Sequence, residues 1–512
     1  MTDSGRPGPD SPGGADRYGA PAVWAGVAAL LLIAHGLAIS FPNDDAFISF
    51  RYAENWVRGH GLVFNAGERV EGYTNFLWTV LIGVLARAGA EPLAAARALG
   101  FLASVGTLVL AARLSRSMTP RSGRVRLAPL LLAASSPFAY WTFAGLETPL
   151  FTFLLLLCVE RTIAASEAGA SGGGRRTLLV SLALALLALT RPEGVAIFGL
   201  FLLVRLVAGF RARRILARDD VVFVAGFLAV YLPYFVWRFT YYGYLLPNTF
   251  YVRRGEGLAQ NLGLWADGVG YVAAFFRDGG GALLLAPLAL LGAPGAREGA
   301  GRARLLVALA AAWCVYIVWV GGDAKILHRF FVPILPVVYL LVEAALARLL
   351  ERAARDGAGA ASASVSRLAG AAGLLGVLLL LALPGLAPSE KHRTDRTFFA
   401  MLAEGGRWLA RNAPPDATVA CFAVGALPYY SGLTTYDLLG VTDAHIAHGP
   451  LRADEMAGHG KTDWGYVLAK RPTYVFPIGN PDLSAAGYEY APISVEVRGE
   501  VLSLRAWRRV AP

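Results

Sequence analysis

Apolar residues in this chain are gathered into long blocks that polar residues rarely interrupt. Residues 178–190 and 374–383 are two examples. The core residues of a soluble protein recur instead with the period of a helix or a strand. A block that faces lipid has no water to satisfy its main-chain N–H and C=O groups, so it must form a helix. The pattern therefore predicts an α-helical protein that crosses a membrane several times.

Basic residues are concentrated in every second loop between the apolar blocks. Because Lys and Arg accumulate on the cytoplasmic side, the predicted inner loops are 113–126, 166–176, 211–220, 293–304 and 348–367. The alternate loops carry short polar motifs and are predicted to lie outside, namely Asp44-Asp45, 145–149 (GLETP), 191–194 (RPEG), 246–251 (LPNTFY), and 321–323 (GGD) with 328–330 (HRF). The alternation places all of these polar motifs on one side.

The segment 73–88 is the exception to this alternation. If it and the block 93–114 both crossed the bilayer, the arginine loop 113–126 would share a side with Asp44. Its apolar run is shorter than the roughly 20 residues that a span needs, so we interpret it as interfacial or re-entrant, and about eleven spans remain. The first span, near 22–40, lacks a convincing cleavage site and is interpreted as an anchor.

The two ends of the chain differ from its apolar middle. Residues 1–20 are rich in Gly, Pro, Asp and Ser, which predicts a disordered cytoplasmic tail. Residues 21–388 form the predicted transmembrane module, with 41–75 as its catalytic first outer loop. After the last predicted span, near 368–386, a mixed-charge sequence begins.

This mixed-charge sequence, 389–512, predicts a small α/β domain that loop parity places outside the cytoplasm. Its helix is predicted at 398–412, where apolar residues recur with helical spacing. Strands are predicted at 417–424, 474–477 and 493–507. The chain as a whole is therefore expected to be a multi-pass plasma-membrane protein with an extracytoplasmic C-terminal domain.

Composition agrees with this architecture and excludes other classes. Of 512 residues, 56% are hydrophobic and 16% are charged, and the mean hydropathy is +0.50. The formal charge of +11 does not indicate a nucleic-acid partner, because the arginines lie in short loops and form no separate basic domain. The sequence has no Walker loop or Gly-rich dinucleotide turn, and its three cysteines imply no disulfide framework.

Asp44 and Asp45 follow the first apolar block directly and are the candidate catalytic residues. Carboxylates are costly in lipid and useful at its edge. One can act as a general base toward an acceptor hydroxyl. The doublet can also hold a divalent cation (Mg²⁺, Mn²⁺ or Ca²⁺) through oxygen ligands, with Asp44 as the candidate ligand. The alternative is a helix cap with solvated charges.

Cationic side chains on the predicted outer side are candidates for binding phosphate, because guanidinium groups can bind phosphate oxygens through paired hydrogen bonds. The outer cations are Arg51, Arg191, Arg253, Arg254, Lys325, His328 and Arg329. From these we select Arg51, Arg191, His328 and Arg329 as the phosphate-binding residues. The alternative roles are a snorkelling side chain for Arg191 and an interfacial anchor for His328-Arg329.

Polar residues in the outer turns and in the tail are candidates for binding the sugar or the acceptor. They are Glu147, Glu193, Asn248, Tyr251, Asp323, Asp443 and His445. The alternatives are structural roles in proline turns, a loop charge at Asp323, and ordinary packing in the tail. A metal site formed by Asp443 with His445 and His448 is disfavoured, because structural metal sites show more ligands at tighter spacing.

These motifs resemble those of a known family. The string NDDAFISFRYAENWVRGHGLVFNAGERVEGYTNFLW at 43–78, followed by GLETPLF, LTRPEG, LPNTFY and GGD with HRF, is similar to bacterial glycosyltransferases of the GT-C superfamily. Within that superfamily the chain looks closest to terminal arabinofuranosyltransferase-like proteins of actinobacteria. The resemblance extends from about residue 22 to the end of the chain and includes DLLGVTDAHIAH at 437–448.

The resemblance implies an inverting glycosyltransferase that takes a sugar from a polyprenyl-phosphate donor in the outer leaflet. The acceptor would be a cell-envelope glycan or lipid, and arabinofuranose is the sugar the resemblance favours. The family's catalytic base maps onto Asp44 or Asp45, with Asp44 slightly preferred. Family members with and without a divalent ion at this position are known, so both states stay open.

Two other classes of function are compatible with parts of the sequence. A transporter or flippase of a lipid-linked sugar would place ionisable residues near the bilayer midplane, at broken helices. Most ionisable residues here lie near predicted span ends, with His35 and Glu343 as partial exceptions. A sugar-binding scaffold with decayed catalytic machinery is disfavoured, because both Asp44 and Asp45 are present.

Overall fold

The computed structural model describes residues 21–119, 125–167, 173–211, 213, 217–253, 258–280, 297–355, 381–382, 387, 389–450, 460–479 and 481–510. The predicted tail 1–20 and the predicted span 282–292 lie outside these residues, as does most of the span 368–386. Within the described residues, 8 helices are long and apolar enough to cross a membrane. The predicted polytopic helical architecture is therefore confirmed, whereas the total of about eleven spans stays a prediction.

Fourteen α-helices lie in the described part of the membrane module. They are α1 (Pro21–Ile39), α2 (Ala46–Val57), α3 (Phe76–Arg87), α4 (Pro92–Met118), α5 (Leu127–Ala134), α6 (Ser136–Phe143), α7 (Thr148–Glu167), α8 (Gly173–Thr190), α9 (Glu193–Arg211), α10 (Arg218–Tyr242), α11 (Asn248–Arg253), α12 (Leu258–Phe275), α13 (Arg297–Val320) and α14 (Leu335–Arg355). A 3₁₀ segment, Ile326–Ile334, leads into α14.

Two segments show how the chain keeps the polar loops on one side. Helix α3 has 12 residues, which is about 18 Å of helix and too short to cross the hydrocarbon region. This agrees with the interpretation of 73–88 as a segment that does not span. Helices α5 and α6 have 8 residues each and are separated by a break at Ser135. Together they return the chain to the end of the molecule that carries Asp44, where the Asn43 amide donates to the Ala144 carbonyl at 2.9 Å.

The predicted outer loops meet at this same end of the helices. The carboxylate of Glu147 lies 2.7 Å from the Arg191 guanidinium and accepts a hydrogen bond from Asn75 at 2.9 Å. Tyr242, at the end of α10, donates to the carbonyl of Leu62 at 2.7 Å. Loops that are far apart in sequence thus form one polar surface.

The tail domain begins with helix α15 (Glu390–Asn412), eight residues before the predicted start at 398. The earlier start has a local cause, because the Ser389 hydroxyl accepts a hydrogen bond from the His392 amide at 3.2 Å and caps the first turn. The remaining tail helices are α16 (Ala426–Ser431), α17 (Ala444–Ala447) and α18 (Trp464–Ala469).

Seven short strands lie in the described part of the tail domain. They are β1 (Thr418–Cys421), β2 (Thr434–Asp437), β3 (Tyr474–Phe476), β4 (Tyr488–Tyr490), β5 (Ile493–Val497), β6 (Glu500–Leu504) and β7 (Trp507–Arg509). One sheet has the order β2-β1-β3-β7-β4, with β1 parallel to both neighbours, and β5 and β6 form a separate hairpin. The predicted small α/β unit is therefore present.

The prediction of a single strand at 493–507 was wrong, because the chain reverses inside it. Val497 pairs with Glu500, so Arg498 and Gly499 form a two-residue hairpin turn. Both have positive φ, 56° and 82°, as the tight turns that match strand twist require. Strands β2 and β4 were not predicted, because segments of four and three residues give too little alternation to recognise.

Candidate active site at the junction of the helices and the tail domain

The two carboxylates of the Asp44-Asp45 doublet point to different partners. Asp44 Oδ1 accepts a hydrogen bond of 2.7 Å from the main-chain amide of Ala426, at the start of α16 in the tail domain. Asp45 Oδ1 accepts a hydrogen bond of 2.8 Å from Lys325 Nζ, in the loop that follows α13. Adjacent residues therefore connect the first outer loop to two separate parts of the protein.

Asp44 lies against the tail domain so closely that only glycine fits beside it. A Cβ atom on Gly425 would overlap the main-chain oxygen of Asp44 and lie 2.5 Å from its Cγ. Burial raises the pKa of Asp44 to about 6, a rise that the Ala426 amide opposes and Asp45 reinforces. A carboxyl group with a pKa near neutrality can both accept and release a proton under physiological conditions.

Asp45 has the opposite electrostatic character. Burial acts to raise its pKa, but the positive charges of Lys325, Arg329 and Arg253 prevail and lower the pKa below its ordinary value. Asp45 therefore stays ionised and is a weaker base than its neighbour. Its side chain is 36% exposed, so it remains accessible to a ligand.

The loop 321–325 supplies a third acidic residue to the same place. The Asp323 carboxylate pairs with Arg329 at 2.7 Å and accepts the main-chain amide of Lys325 at 3.3 Å. The preceding Gly321 and Gly322 have φ values of 80° and 73°, a region where side chains with Cβ are strained. The two glycines thus permit the sharp turn that brings Asp323 and Lys325 to the doublet.

The next turn is held in an uncommon conformation. Leu327 and His328 have φ values of 53° and 44°. A non-glycine residue is strained in this left-handed region and keeps such a conformation only where surrounding contacts hold it there. The Trp141 indole donates to the Leu327 carbonyl at 3.2 Å, and the Trp313 indole donates to the Phe330 carbonyl at 2.6 Å. These two bonds hold the turn that directs Lys325 and Arg329 toward the acidic residues.

Three arginines from three different loops converge on the ring of Phe330. The guanidinium carbons of Arg191, Arg253 and Arg329 lie 5.5, 5.8 and 5.3 Å from the ring centroid. We call these three residues the arginine cluster. Like charges at such distances repel one another, so the arrangement needs negative charge nearby, from carboxylates or from a bound anion.

Two members of the arginine cluster already have carboxylate partners and the third does not. Arg191 pairs with Glu147 at 2.7 Å and with Glu193 at 2.6 Å, and Arg329 pairs with Asp323. Arg253 makes no hydrogen bond or ion pair with any residue that the structure describes. Its N–H groups are therefore available to an anionic ligand.

Glu147 and Glu193 orient Arg191 in this structure. Glu147 also accepts a hydrogen bond from Asn75, and Glu193 accepts one from the Tyr316 hydroxyl at 2.6 Å. Both carboxylates are thus engaged on two sides. Their placement indicates that these two glutamates support the arginine cluster rather than bond a sugar directly. The sequence analysis did not select Tyr316.

His328 faces away from the arginine cluster. Its Nε2 lies 3.3 Å from Asp278 Oδ2, and its ring lines a cavity of about 300 Å³ together with Lys325, Lys391 and Phe275. The cavity has a mostly apolar wall and a basic edge at Lys325. The cavity therefore adjoins the doublet through Lys325, which bonds Asp45.

Arg51 lies in the seam between the first outer loop and the tail. Its guanidinium donates to the carbonyls of Phe64, Pro428 and Leu433 at 2.7, 2.7 and 2.8 Å, and to the Asn65 side chain at 3.0 Å. The side chain is buried, and each of its three nitrogens has an acceptor. This placement removes Arg51 from the phosphate-binding set and gives it a structural role.

Asn248 and Asp443 also lie along this seam. The Asn248 side chain donates to the Gly440 carbonyl at 2.8 Å, and its main-chain amide donates to the Glu71 carbonyl at 3.0 Å. Asp443 caps α17 through the Ile446 amide and lies 3.3 Å from Lys470 Nζ. Asn248 therefore links α11 to the first outer loop and to the tail, and Asp443 links the start of α17 to the end of α18.

Tyr251 and His445 lie farther out on the same junction. Tyr251 packs against His448, with ring centroids 4.3 Å apart. His445 Nε2 lies 2.9 Å from Asp463 Oδ2. The sequence-predicted residues therefore divide into a charged centre around the doublet and a seam beside it.

The oxygen atoms at the charged centre do not form a metal site. Among the described residues, no three His, Cys, Asp or Glu side chains are grouped as metal ligands. Asp44, Asp45 and Asp323 instead face an amide, an ammonium and a guanidinium group. This donor set does not fit a divalent cation, and the proposed function below uses none.

Known families match parts of this chain. A family described as a domain of unknown function (DUF8728) matches residues 392–510. The terminal beta-(1->2)-arabinofuranosyltransferase of Mycobacterium tuberculosis is 32% identical over 245 residues, covering 46% of this chain and 37% of that protein. The protein of the same name from Corynebacterium glutamicum is 29% identical over 343 residues, covering 58% and 47%. The chain thus matches less than half the length of each curated relative.

Solved structures show the same fold at low sequence identity. ArnT from Cupriavidus metallidurans bound to undecaprenyl phosphate aligns with a TM-score of 0.56 and 15% identity, over 81% of this chain and 85% of that one. The Archaeoglobus fulgidus oligosaccharyltransferase in complex with Zn and sulfate aligns with a TM-score of 0.51 and 13% identity, over 80% and 62%. The chain therefore has the fold of GT-C membrane glycosyltransferases and is similar in sequence to terminal β-(1→2)-arabinofuranosyltransferases.

Proposed function

We propose that this protein is a membrane glycosyltransferase that moves a sugar from a polyprenyl-phosphate donor to a cell-envelope glycan or lipid acceptor, with inversion at the transferred carbon. The observation that carries the proposal is the pairing of the Asp44-Asp45 doublet with the arginine cluster. A glycosyl phosphate needs a base on the acceptor side and cations on the phosphate side. Both groups are present at one end of the helices. Lys325, which bonds Asp45, lies in the same loop as Asp323, which pairs with Arg329 of the cluster.

The phosphate of the donor binds at the arginine cluster in this proposal. Arg253 supplies unused N–H groups, and Arg191 is held in place by Glu147 and Glu193. As the bond between the sugar carbon and the phosphate oxygen breaks, negative charge develops on that oxygen, and pre-oriented guanidinium groups stabilise it. The cavity of about 300 Å³ beside Lys325 offers an apolar wall to the lipid chain. ArnT, the structural neighbour, binds undecaprenyl phosphate.

Asp44 is the proposed general base and Asp45 the proposed sugar-orienting residue. The pKa of Asp44, about 6, suits a group that must be ionised before the reaction and protonated after it. In the step, the acceptor oxygen forms a bond to the sugar carbon, its proton passes to Asp44, and the lipid phosphate leaves with the bonding electron pair. Asp45, ionised and paired with Lys325, is placed to accept hydrogen bonds from sugar hydroxyls.

Arabinofuranose is the proposed sugar, and the outer face of the plasma membrane is the proposed location. The name of the curated relatives supports the sugar. The location follows from the basic loops, which place the opposite, doublet-bearing end of the helices outside. Outside the cell there is no pool of nucleotide sugars, so a lipid-carried donor fits that location.

The flippase alternative has weaker support. His35 bonds the Ala133 carbonyl at 3.1 Å, and Glu343 bonds the Ser115 hydroxyl at 2.7 Å and the Ala128 amide at 2.9 Å. Both intramembrane side chains therefore have hydrogen-bond partners on neighbouring helices, and His35 lies beside the break at Ser135 between α5 and α6. The other charged residues of interest lie at the helix ends.

The direct test uses the full chain in detergent or nanodiscs with a radiolabelled polyprenyl-phosphate arabinofuranose and a synthetic arabinofuranose oligosaccharide. Transfer of label to the oligosaccharide, abolished in Asp44→Asn while labelled donor still binds, is the expected result. Movement of the labelled lipid across vesicles that persists in Asp44→Asn and Asp45→Asn, without transfer, would establish the flippase instead.

A further inference from the structure

Five aromatic rings form a band along the junction between the membrane module and the tail domain. Three belong to a first stack, in which His448 lies 4.5 Å from Tyr244 and 4.3 Å from Tyr251. The other two form a second stack, in which His445 lies 4.0 Å from Tyr466. His445 and His448 come from the same turn around α17, so the two stacks are neighbours. We call these five residues the aromatic band.

The aromatic band is open to solvent. His448 is exposed and Tyr244 is 42% exposed, while the His445 side chain is 54% exposed. Exposed aromatic rings are costly to leave in water, and several of them in one strip mark a surface that binds something. Because the rings of each stack pack against one another, the outer face of each stack is left for a ligand.

Hydrogen-bonding groups at the edge of the first stack are also unused. The Tyr244 and Tyr251 hydroxyls and His448 Nε2 make no hydrogen bond with any residue that the structure describes. His448 uses only Nδ1, which lies 2.8 Å from the Ala444 carbonyl. Apolar faces with free polar edges match a sugar ring, which presents C–H groups on its faces and hydroxyls around its rim.

The charges near the aromatic band are paired with one another. Asp463 pairs with His445 at 2.9 Å, and Asp443 pairs with Lys470 at 3.3 Å. Among the described residues beside the band, these pairs leave no patch of a single charge sign for an anionic lipid headgroup or a nucleic acid. A neutral, polyhydroxylated ligand fits this surface best.

Helix α11 connects the aromatic band to the arginine cluster. Tyr251 and Arg253 are two residues apart on it, about 3 Å along the axis and on roughly opposite sides. Tyr251 faces His448 of the band, whereas Arg253 faces Phe330 of the cluster. α11 therefore lies between the aromatic band and the arginine cluster, so the band adjoins the proposed phosphate-binding part of the site.

We propose that the aromatic band is an acceptor subsite that binds a glycan chain several sugars long. The terminal hydroxyl of that glycan extends from the band to Asp44. This inference rests on the proposed function and extends it. The proposal predicts chain-length selectivity, because a disaccharide bound at the doublet would not reach the outer rings. A linear hexasaccharide reaches both stacks.

The test compares a synthetic linear arabinofuranose hexasaccharide with the disaccharide, in transfer by the full chain in nanodiscs and in donor-free titration followed by fluorescence. We expect His448→Ala and Tyr251→Ala to raise the hexasaccharide KM and Kd about tenfold, the effect of losing one stacked ring. The disaccharide KM, the donor KM and kcat stay at their wild-type values. His448→Phe, which keeps a flat ring, restores most of the affinity.

Tyr490→Ala is the matched control, because Tyr490 is another exposed tail tyrosine, 54% exposed on β4. Unchanged hexasaccharide affinity in both band variants overturns the inference, and would leave packing or a bilayer surface as the role of the rings. An equal loss with both acceptors, or a loss confined to kcat, overturns it as well. A wild-type protein that transfers no sugar to either acceptor refutes the proposed function itself, and the subsite with it.

Discussion

The carboxylate of Asp44 accepts a hydrogen bond of 2.7 Å from the main-chain amide of Ala426, which lies 382 positions later in the chain. The first residue belongs to the first outer loop of the membrane module, and the second to the tail domain that matches a family of unknown function. The contact makes the tail domain part of the charged centre. The tail fixes one carboxylate of the doublet and leaves the other to Lys325.

Replacing Asp44 by Asn should remove transferase activity while leaving the protein folded. The amide side chain still accepts the Ala426 hydrogen bond through its oxygen, but it cannot take a proton, so we expect kcat to fall by about 10²–10⁴-fold. Donor binding should stay within twofold of the wild type. Transfer assays and donor titration measure the two quantities, and Asp416→Asn, on the exposed tail surface, is the control. Full activity in Asp44→Asn would rule out Asp44 as the base.

Activity should rise with pH through about 6. Asp44 must be ionised to accept the acceptor proton, and its folded-state pKa is raised from 3.8 to about 6. Below pH 6 the group is increasingly protonated and the rate falls tenfold per unit. Because the charged form is the disfavoured one, ionising Asp44 costs stability as pH rises from about 4 to 6. A pH profile of kcat/KM with its acidic limb near 4 would contradict this assignment.

Gly425→Ala should displace Asp44 and reduce activity. The added methyl group overlaps the main-chain oxygen of Asp44, so either the tail or the doublet must shift. A shift of this size at the reacting group costs roughly 10²-fold in rate. The control is Gly199→Ala, in α9, where a Cβ meets nothing within 4 Å. Wild-type kcat in Gly425→Ala would show that the tail contact does not position the base.

Arg253→Ala should weaken donor binding without destabilising the protein. Arg253 has no hydrogen-bond or ion-pair partner among the described residues, so truncating it leaves no buried group unpaired. We expect a donor Kd about tenfold higher or more, because a charge-assisted bond to phosphate is lost, and a melting temperature close to the wild-type value. Titration with labelled donor and a thermal melt in nanodiscs measure both. An unchanged donor Kd would exclude Arg253 from the phosphate site.

Arg51→Ala should have the reverse pattern. Its buried guanidinium donates to carbonyls on both the first outer loop and the tail, and removing it takes one donor from each of these carbonyls and leaves a cavity in the seam. We expect a loss of about 2–4 kcal/mol in unfolding free energy. Limited proteolysis should then release the tail more readily. Donor Kd measured at a temperature where the variant is folded should be unchanged, and a selective loss of donor affinity would return Arg51 to the phosphate site.

Several features of the fold could be predicted because their causes are local. The apolar block 22–40 becomes α1, and the short run before Arg87 becomes α3, a helix too short to span. Block length and loop charge fix such segments without reference to the rest of the chain. The break between α5 and α6 and the short strands β2 and β4 escaped prediction, because tertiary contacts decide them.

The candidate site could be predicted only in outline. The doublet, Arg191 and Asp323 were selected because they lie on loops of one predicted side, and the structure brings these loops together at one end of the helices. Residue type did not distinguish Arg51, whose nitrogens all have acceptors, from Arg253, which has no hydrogen-bond or ion-pair partner among the described residues. The role of Ala426 left no signal at all, because a main-chain amide has no side chain to recognise.

By itself, the sequence determined which segments enter lipid, which loops share a face, and that two carboxylates stand at the edge of the first span. These follow from hydropathy and charge, which act over a few residues. Only the tertiary structure decided that Asp44 turns to the tail and Asp45 to Lys325, and that Arg51 holds a seam while Arg253 stays available. The reason is that a side chain's role depends on the neighbours the fold supplies, and the Leu433 carbonyl that holds Arg51 lies 382 positions away.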